Sequence, residues 1–269
     1  MLRSIQIAEK TMKILRISLL AAATLLAATP ALADLKIGVA AEPYPPFTAK
    51  DASGKWVGWE IDLVDALCAE MKEKCEIVET AWDGIIPALT ASKIDVIIAS
   101  MAKNAKRREV IDFSNTYYTS AAVMMGAKNG DMDFSPEHLA GKTIGVQVSS
   151  IHAAYAEKYY AKTATIQTYQ TQDEVNQDLA AGRIDYVLAN GTALDVFLMS
   201  AQGGGFEAKG AVPLDVEILG EGAGAGIRKG DTALADKLNA ALSTLAKGGK
   251  LVEISARNGL TGLIITPKE

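Results

Sequence analysis

IDVIIASMAKNAKRR, residues 94–108, is the stretch whose reading decides the fold. Its first half, IDVIIA, is β-branched and apolar without alternation, the composition of a parallel strand covered on both faces. Ligands of open α/β sheets gather at the carboxyl ends of such strands. Here that end continues as a polar loop from Ser100 to Asn104 and then enters a basic turn, Lys106-Arg107-Arg108. An arginine so placed can grip a carboxylate with two parallel charge-assisted hydrogen bonds, helped by free backbone N–H groups at a helix start. Local sequence alone also reads the three cations as a solvated surface turn, the commoner role of a charge run.

Upstream, LKIGVA (35–40) reads as a strand running into AAEPYPPF, where Pro45 and Pro46 keep the chain extended and present Glu42, Tyr44 and Phe47. KDASGKWVGW is a turn and short hairpin. The helical spacing of Ile61, Val64, Leu67, Cys68 and Met71 predicts a helix over 61–73. CEIVETA is a second strand delivering Trp82 and Asp83, and DGIIPALTASK a short helix. Three strand ends thus bring Tyr44, Trp82 and the loop from Ser100 to Arg107 to one edge, as one wall of a pocket.

Downstream, the pattern restarts near Val123. AAVMMGAK is extended, HLAGKTIGV leads into a strand, and a polar loop over 147–150 opens a helix carrying His152, Tyr155 and Tyr159. TIQTY is a strand, TQDEVNQDLAAG a helix stopped at Gly182, and AGRIDYVLAN (181–190) echoes ASKIDVIIAS (91–100). The glycine-rich GEGAGAGIRKGD then crosses back, and an amphipathic helical tail packs on the first half. Alternating strands and helices make an α/β chain. The expected organisation is lobe 1 over 34–122 plus 222–269 and lobe 2 over 123–221, with two crossing strands as a hinge.

Residues 1–33 have the form of a secretory leader: Lys10, Lys13 and Arg16, a short apolar run, and Ala31-Leu32-Ala33, with cleavage expected after Ala33. Its apolar core is too short for a membrane span. Translation from Met1 or from Met12 satisfies the same pattern. The leader's Arg3, Lys10, Lys13 and Arg16 against Glu9 carry a net +3, so its loss takes the chain from −5 to −8. Such an acidic protein offers no basic footprint for nucleic acid. Cys68 and Cys75 are the two cysteines, and in an exported chain their isolated spacing predicts a disulfide. A zinc site would need His138 and His152 from far along the chain.

The ordered motifs YPPF (44–47), GWEIDL (58–63), WDGIIPAL (82–89), KIDVIIAS (93–100), KRREVIDFS (106–114), GVQVSS (145–150), AGRIDYVLAN and GAGAGIRKGD (222–231), with the cysteine pair, span the chain beyond the leader. Together they resemble the polar amino-acid-binding proteins of bacterial ABC importers, solute-binding protein family 3, among them lysine/arginine/ornithine, histidine and opine binders. The resemblance implies an α/β, two-lobed periplasmic binding protein of type II that closes on a small ligand and hands it to an inner-membrane permease. It implies no cofactor, a monomer, and a periplasmic location.

By the same resemblance, Tyr44 and Trp82 sandwich the ligand side chain, Arg107 pairs with its α-carboxylate, Ser100 offers a hydroxyl or carbonyl, and Ala102 a backbone N–H. Glu42, Met101, Ser149, Ser150 and Ile151 complete the expected contacts, with Asn190 opposite. The departures are informative. Ala102 stands where many members have Ser or Thr, and Ile151 cannot donate as the usual Thr does. Asn190 stands where amino-acid binders commonly carry an aspartate against the ligand ammonium. That loss of counter-charge fits a substituted amine such as an opine, unless Glu42 supplies the charge. The competing expectation is an enzyme resembling cyclohexadienyl dehydratases on the same fold, for which a general acid in the second lobe is missing.

Overall fold

The computed structural model describes residues 34–260. The leader expected over 1–33, its cleavage site and the two alternative starts lie outside the described residues.

The first half builds β1 (Leu35–Ala40), the hairpin of β2 (Ala49–Lys50) and β3 (Trp56–Val57), helix α1 (Trp59–Met71), β4 (Cys75–Thr80), helix α2 (Ile85–Thr90), β5 (Val96–Ile97), the single turn α3 (Ala105–Arg108) and β6 (Ile111–Tyr118). β1 pairs in parallel with β4 and β5. The strand expected in 94–100 is thus present but short, although Asp95 N–H donates to Lys36 and Ile98 N–H to Gly38, extending its contact with β1. Ile94, Val96, Ile97 and Ile98 are at most 1% exposed, as their uninterrupted apolar run demands.

The second half builds β7 (Ala122–Ala127), β8 (Thr143–Gln147), helix α4 (Ile151–Tyr159), β9 (Thr165–Tyr169), helix α5 (Gln172–Ala180), β10 (Tyr186–Asn190), helix α6 (Gly191–Leu198) and β11 (Phe206–Ala211). The chain then returns through the turn α7 (Val216–Leu219) to β12 (Ala223–Arg228) and ends in helices α8 (Thr232–Lys247) and α9 (Lys250–Arg257). The two five-stranded sheets have equivalent orders, β4-β1-β5-β12-β6 and β9-β8-β10-β7-β11. In each, three parallel strands are followed by an antiparallel strand contributed from across the crossing: β12 on β5, and β7 on β10. The echo between 91–100 and 181–190 falls on the equivalent strands β5 and β10.

Both faces of each sheet carry apolar packing. One face of the first holds α1, α8 and α9, with Trp59, Leu63, Leu238, Leu242 and Ile254 buried; the other holds Ile85 and Leu89 of α2. The second sheet is covered likewise by Tyr155 and Ala156 of α4 and by Val175 and Leu179 of α5. The chain passes between sheets from Tyr118 to Ala122 and again from Ala211 to Ala223. Gly222 sits on the return at φ +94°, where a Cβ would come within 2.7 Å of the Tyr118 carbonyl; only glycine accepts both constraints.

The Cys68–Cys75 disulfide is present and joins the end of α1 to the start of β4. Helix α1 begins two residues before the predicted start, so Trp59 and Glu60 are helical. Strands β6 and β11 and helix α6 had no periodic signal strong enough to be read from the sequence.

Candidate functional site

Ser100 follows β5 in a left-handed conformation, φ +51°, which costs a non-glycine residue roughly 1 kcal/mol or more unless neighbours hold it. Glu60 is what holds it. The Glu60 carboxylate accepts the Ser100 N–H at 2.6 Å, the Ser100 hydroxyl at 3.1 Å and the Tyr117 hydroxyl at 2.5 Å. Glu60 is fully buried. Burial pushes its pKa from 4.5 up to about 7, against the opposing pull of those three donors. Its helix starts where it does because Gly58, at φ +120°, lets the backbone pass against Phe47 at a spacing that excludes any Cβ.

Asn104 caps α3 by accepting the Arg107 N–H at 3.0 Å, while its amide donates to Ile218 in the return segment. The cap sends the Arg107 side chain back across the loop. Its guanidinium donates to the Ala102 carbonyl at 3.0 Å and to the Ser149 carbonyl at 3.3 Å, and lies 5.3 Å from the centroid of the Trp82 ring. Burial lowers its pKa to about 10, so it stays charged at neutral pH. Arg108, by contrast, is exposed and pairs with Glu221 at 3.0 Å.

Trp82 is fixed at two points. Both carboxylate oxygens of Glu42 accept its backbone N–H, at 3.0 and 3.2 Å, and its indole Nε1 donates to the Val148 carbonyl at 3.1 Å. Glu42 therefore orients the indole as well as facing the cleft. The Tyr44 hydroxyl bonds the Asn190 backbone, and burial raises its pKa well above the usual phenol range. His152, partly buried beside Arg107, is held neutral, with its pKa lowered to about 3 by burial first and the guanidinium second.

Asn190 ends β10 and caps α6. Its side-chain oxygen accepts from Thr192 N–H at 2.9 Å, Ala193 N–H at 3.4 Å and the Ser120 hydroxyl at 2.8 Å. Those bonds fix the amide's orientation, so its NH2 group points to the Tyr118 hydroxyl at 3.4 Å. What position 190 offers the cleft is a donor.

These residues surround one cavity of about 870 Å³ lying between the two sheets. Of the positions singled out in the sequence, Glu42, Tyr44, Trp82, Ser100, Ala102, Arg107, Ser150, Ile151 and Asn190 line it, as does His152. Met101 and Ser149 do not line it. Met101 is 1% exposed and packs in the core with Ile97 and Ile111, because neighbouring residues of the extended chain point to opposite sides. Ser149 is represented by its carbonyl, on Arg107, rather than by its hydroxyl. Ser150 uses its oxygen to cap α4 through Ala153 N–H at 3.0 Å.

Sequence reasoning missed Glu60, Tyr118, Ser120 and Lys103. Tyr118 lies in the unrecognised strand β6 and Ser120 in the crossing that follows it. A carboxylate set between the buried Trp59 and Ile61 was the available signal for Glu60. Lys103 lines the cavity at 8% exposure, its pKa lowered chiefly by burial.

A profile of the bacterial extracellular solute-binding proteins, family 3, matches residues 35–260. The "L-arginine-binding protein" of Pseudomonas aeruginosa is 38% identical over 222 residues, 82% of this chain and 85% of the relative. The "Octopine-binding periplasmic protein" of Rhizobium meliloti is 39% identical over 243 residues, 81% of this chain and 82% of the relative. Among solved structures, an ancestral arginine-binding protein bound to arginine superposes with a TM-score of 0.75 at 32% identity, covering 83% of this chain and 97% of that one.

Proposed function

Because this chain belongs to the bacterial extracellular solute-binding proteins, family 3, we propose that it is the periplasmic substrate-binding protein of an ABC importer. Its ligand is a polar or basic amino acid or an amino-acid derivative such as an opine. The observation that carries this reading is Arg107: a half-buried guanidinium over the Trp82 ring and bonded to carbonyls on both sides of the cavity. In the ligand's presence its N–H groups turn to a carboxylate, the acceptor geometry that a planar guanidinium fits.

The lobes are residues 34–122 with 222–269, and 123–221. Tyr44, Trp82 and Arg107 hold ligand in the open form, and contacts from Ser150 and Asn190 then favour closure, a shift between two populated states. The closed form is what the permease meets. The protein works as a monomer, without nucleic acid.

The cavity volume leaves room beyond a bare amino acid, within the range of small-molecule sites. Among the described residues the acids on its wall are Glu42 and Glu221, neither from the second sheet. A ligand whose amine is alkylated, as in an opine, suits a wall with a donor at Asn190. The cleft is read as non-catalytic, since the acid that a dehydratase would need from the second lobe is an amide at position 190.

Calorimetric titration of the mature protein with arginine, lysine, histidine and octopine tests the assignment. Saturable binding of at least one is expected; absence of heat and of thermal stabilisation with all four rejects the ligand class. Turnover of prephenate or arogenate would reject the non-catalytic reading.

A further inference from the structure

Ser100 is a wall residue whose hydroxyl donates into the protein, to the buried Glu60 carboxylate. A chain of side-chain hydrogen bonds runs from the second sheet to the first: Asn190 to Tyr118 at 3.4 Å, Tyr118 to Ser100, and Ser100 to Glu60 at 3.1 Å. It ends on a carboxyl group that no solvent reaches. With Glu60 ionised, the Ser100 hydroxyl must donate inward, since a carboxylate only accepts. One Ser100 lone pair then meets Tyr118, and the other faces the cavity. With Glu60 protonated, its own O–H donates to Ser100, and the Ser100 proton is free to turn toward the cavity or Tyr118.

We propose that Glu60 is a positioning residue that sets the polarity of Ser100, making it an acceptor for a ligand N–H when ionised, so that binding of an amine-bearing ligand drives a proton from Glu60 to solvent. The inference rests on the ligand class assigned above. It also answers the question that Asn190 raises. The charge opposing the ligand's nitrogen comes from behind the first lobe, through one serine, instead of from the second.

The groups around Glu60 leave it as the one to titrate. Strand β6 supplies Tyr117 and Tyr118 and the proline loop supplies Tyr44, and all three phenols are pushed up by burial, then by Glu60. From the C-terminal helix, Ser255 bonds Trp59 and Arg257 pairs with Asp62 rather than Glu60. Across the cavity His152 stays neutral down to about pH 3. Among the described residues no lysine or arginine forms an ion pair with Glu60. Its folded pKa of about 7 places the exchange near neutrality, and a ligand cation, by favouring the carboxylate, lowers it further.

The experiment is titration calorimetry of the mature protein with L-arginine and with octopine between pH 5.5 and 8.5, in buffers of different ionisation enthalpy, for wild type, Glu60→Gln and Tyr117→Phe. Glutamine keeps an acceptor for Ser100 N–H and donates to its oxygen, imitating protonated Glu60 without loss of volume. In wild type, proton release of up to one per ligand is expected below about pH 7, with affinity rising up to tenfold per pH unit there. In Glu60→Gln the release disappears and affinity no longer follows pH. In Tyr117→Phe, which removes a donor to the carboxylate, the midpoint moves upward. Binding without proton exchange in wild type, or the same exchange in Glu60→Gln, overturns the proposal alone. If neither probe binds wild type, lysine and histidine are titrated in their place, and if none of the four binds at any pH the ligand class fails and the proposal falls with it.

Discussion

The indole Nε1 of Trp82 donates to the carbonyl of Val148 at 3.1 Å, tying a side chain held by the first sheet to the loop that follows β8. In the proposed cycle of opening and closure the bond holds the cleft closed, since separating the two sheets would part donor from acceptor. Trp82→Phe keeps an aromatic wall and removes it. A neutral hydrogen bond contributes about 1 kcal/mol net, so ligand affinity should fall roughly fivefold, with a larger radius of gyration of the ligand-bound protein by small-angle scattering. An unchanged Kd would show that the bond contributes nothing to closure.

Arg107 carries the carboxylate in the proposed site. Removing one partner of a buried charged pair costs about 2–5 kcal/mol. Arg107→Ala should therefore weaken binding by more than thirtyfold for every ligand with a carboxylate, read by calorimetry, while Arg108→Ala, on an exposed side chain, leaves Kd within a factor of two.

At Asn190, an aspartate would keep one oxygen for the Thr192 and Ala193 N–H groups and turn the other toward the cleft. Asn190→Asp should tighten primary-amine ligands several-fold and weaken amine-substituted ones, measured as competition between arginine and octopine. Equal effects on both would remove position 190 from ligand selection.

Two groups shifted by burial give opposite pH trends in the ligand-free protein. Glu60 has a folded pKa raised to about 7 from 4.5, so the stability it contributes is complete below pH 4.5 and is lost as pH rises through 7. His152 has a folded pKa lowered to about 3 from 6.5, so its contribution is present above pH 6.5 and is lost as pH falls toward 3. Relative to wild type, the melting temperature of Glu60→Gln should rise from pH 5 to 8, and that of His152→Gln should rise from pH 6.5 to 4. Parallel melting curves for variant and wild type across either window would contradict the corresponding shift.

The disulfide closes a short loop, with Cys68 and Cys75 seven positions apart. Loop-closure entropy gives such a crosslink about 2–3 kcal/mol. The double variant Cys68→Ser, Cys75→Ser should unfold at correspondingly lower urea concentration, with ligand affinity unchanged because both cysteines lie away from the cavity.

Much of the fold was written in local pattern. The apolar run 94–98 specified a buried parallel strand because no face of it could meet water, and its echo at 184–189 specified the equivalent strand. Spacing gave α1, α5 and the C-terminal helices, and the cysteine pair gave its bridge. Strand β6, IDFSNTYY, escaped because its polar residues are satisfied by long-range partners instead of alternating with apolar ones: the Ser114 hydroxyl accepts Ala225 N–H, the Thr116 hydroxyl donates to the Glu221 carbonyl, and Asn115 N–H donates to Asn239. Motif likeness brought nine of the eleven proposed ligand positions to the cavity wall. Met101 lies in the core instead, because a motif marks a segment, and alternation within that segment decides which residue faces the cavity.

What the sequence determined by itself, then, was that the strand after Lys93 ends in a loop carrying Arg107, since periodicity and charge are local. What only the tertiary structure decided was the polarity of that loop. Glu60 lies 40 positions from Ser100, and Asn190 lies 72 from Tyr118. A hydroxyl or an amide has no fixed sense as donor or acceptor until its neighbours take one of its roles. Those neighbours arrive only when α1, β6 and β10 pack around the ends of two sheets.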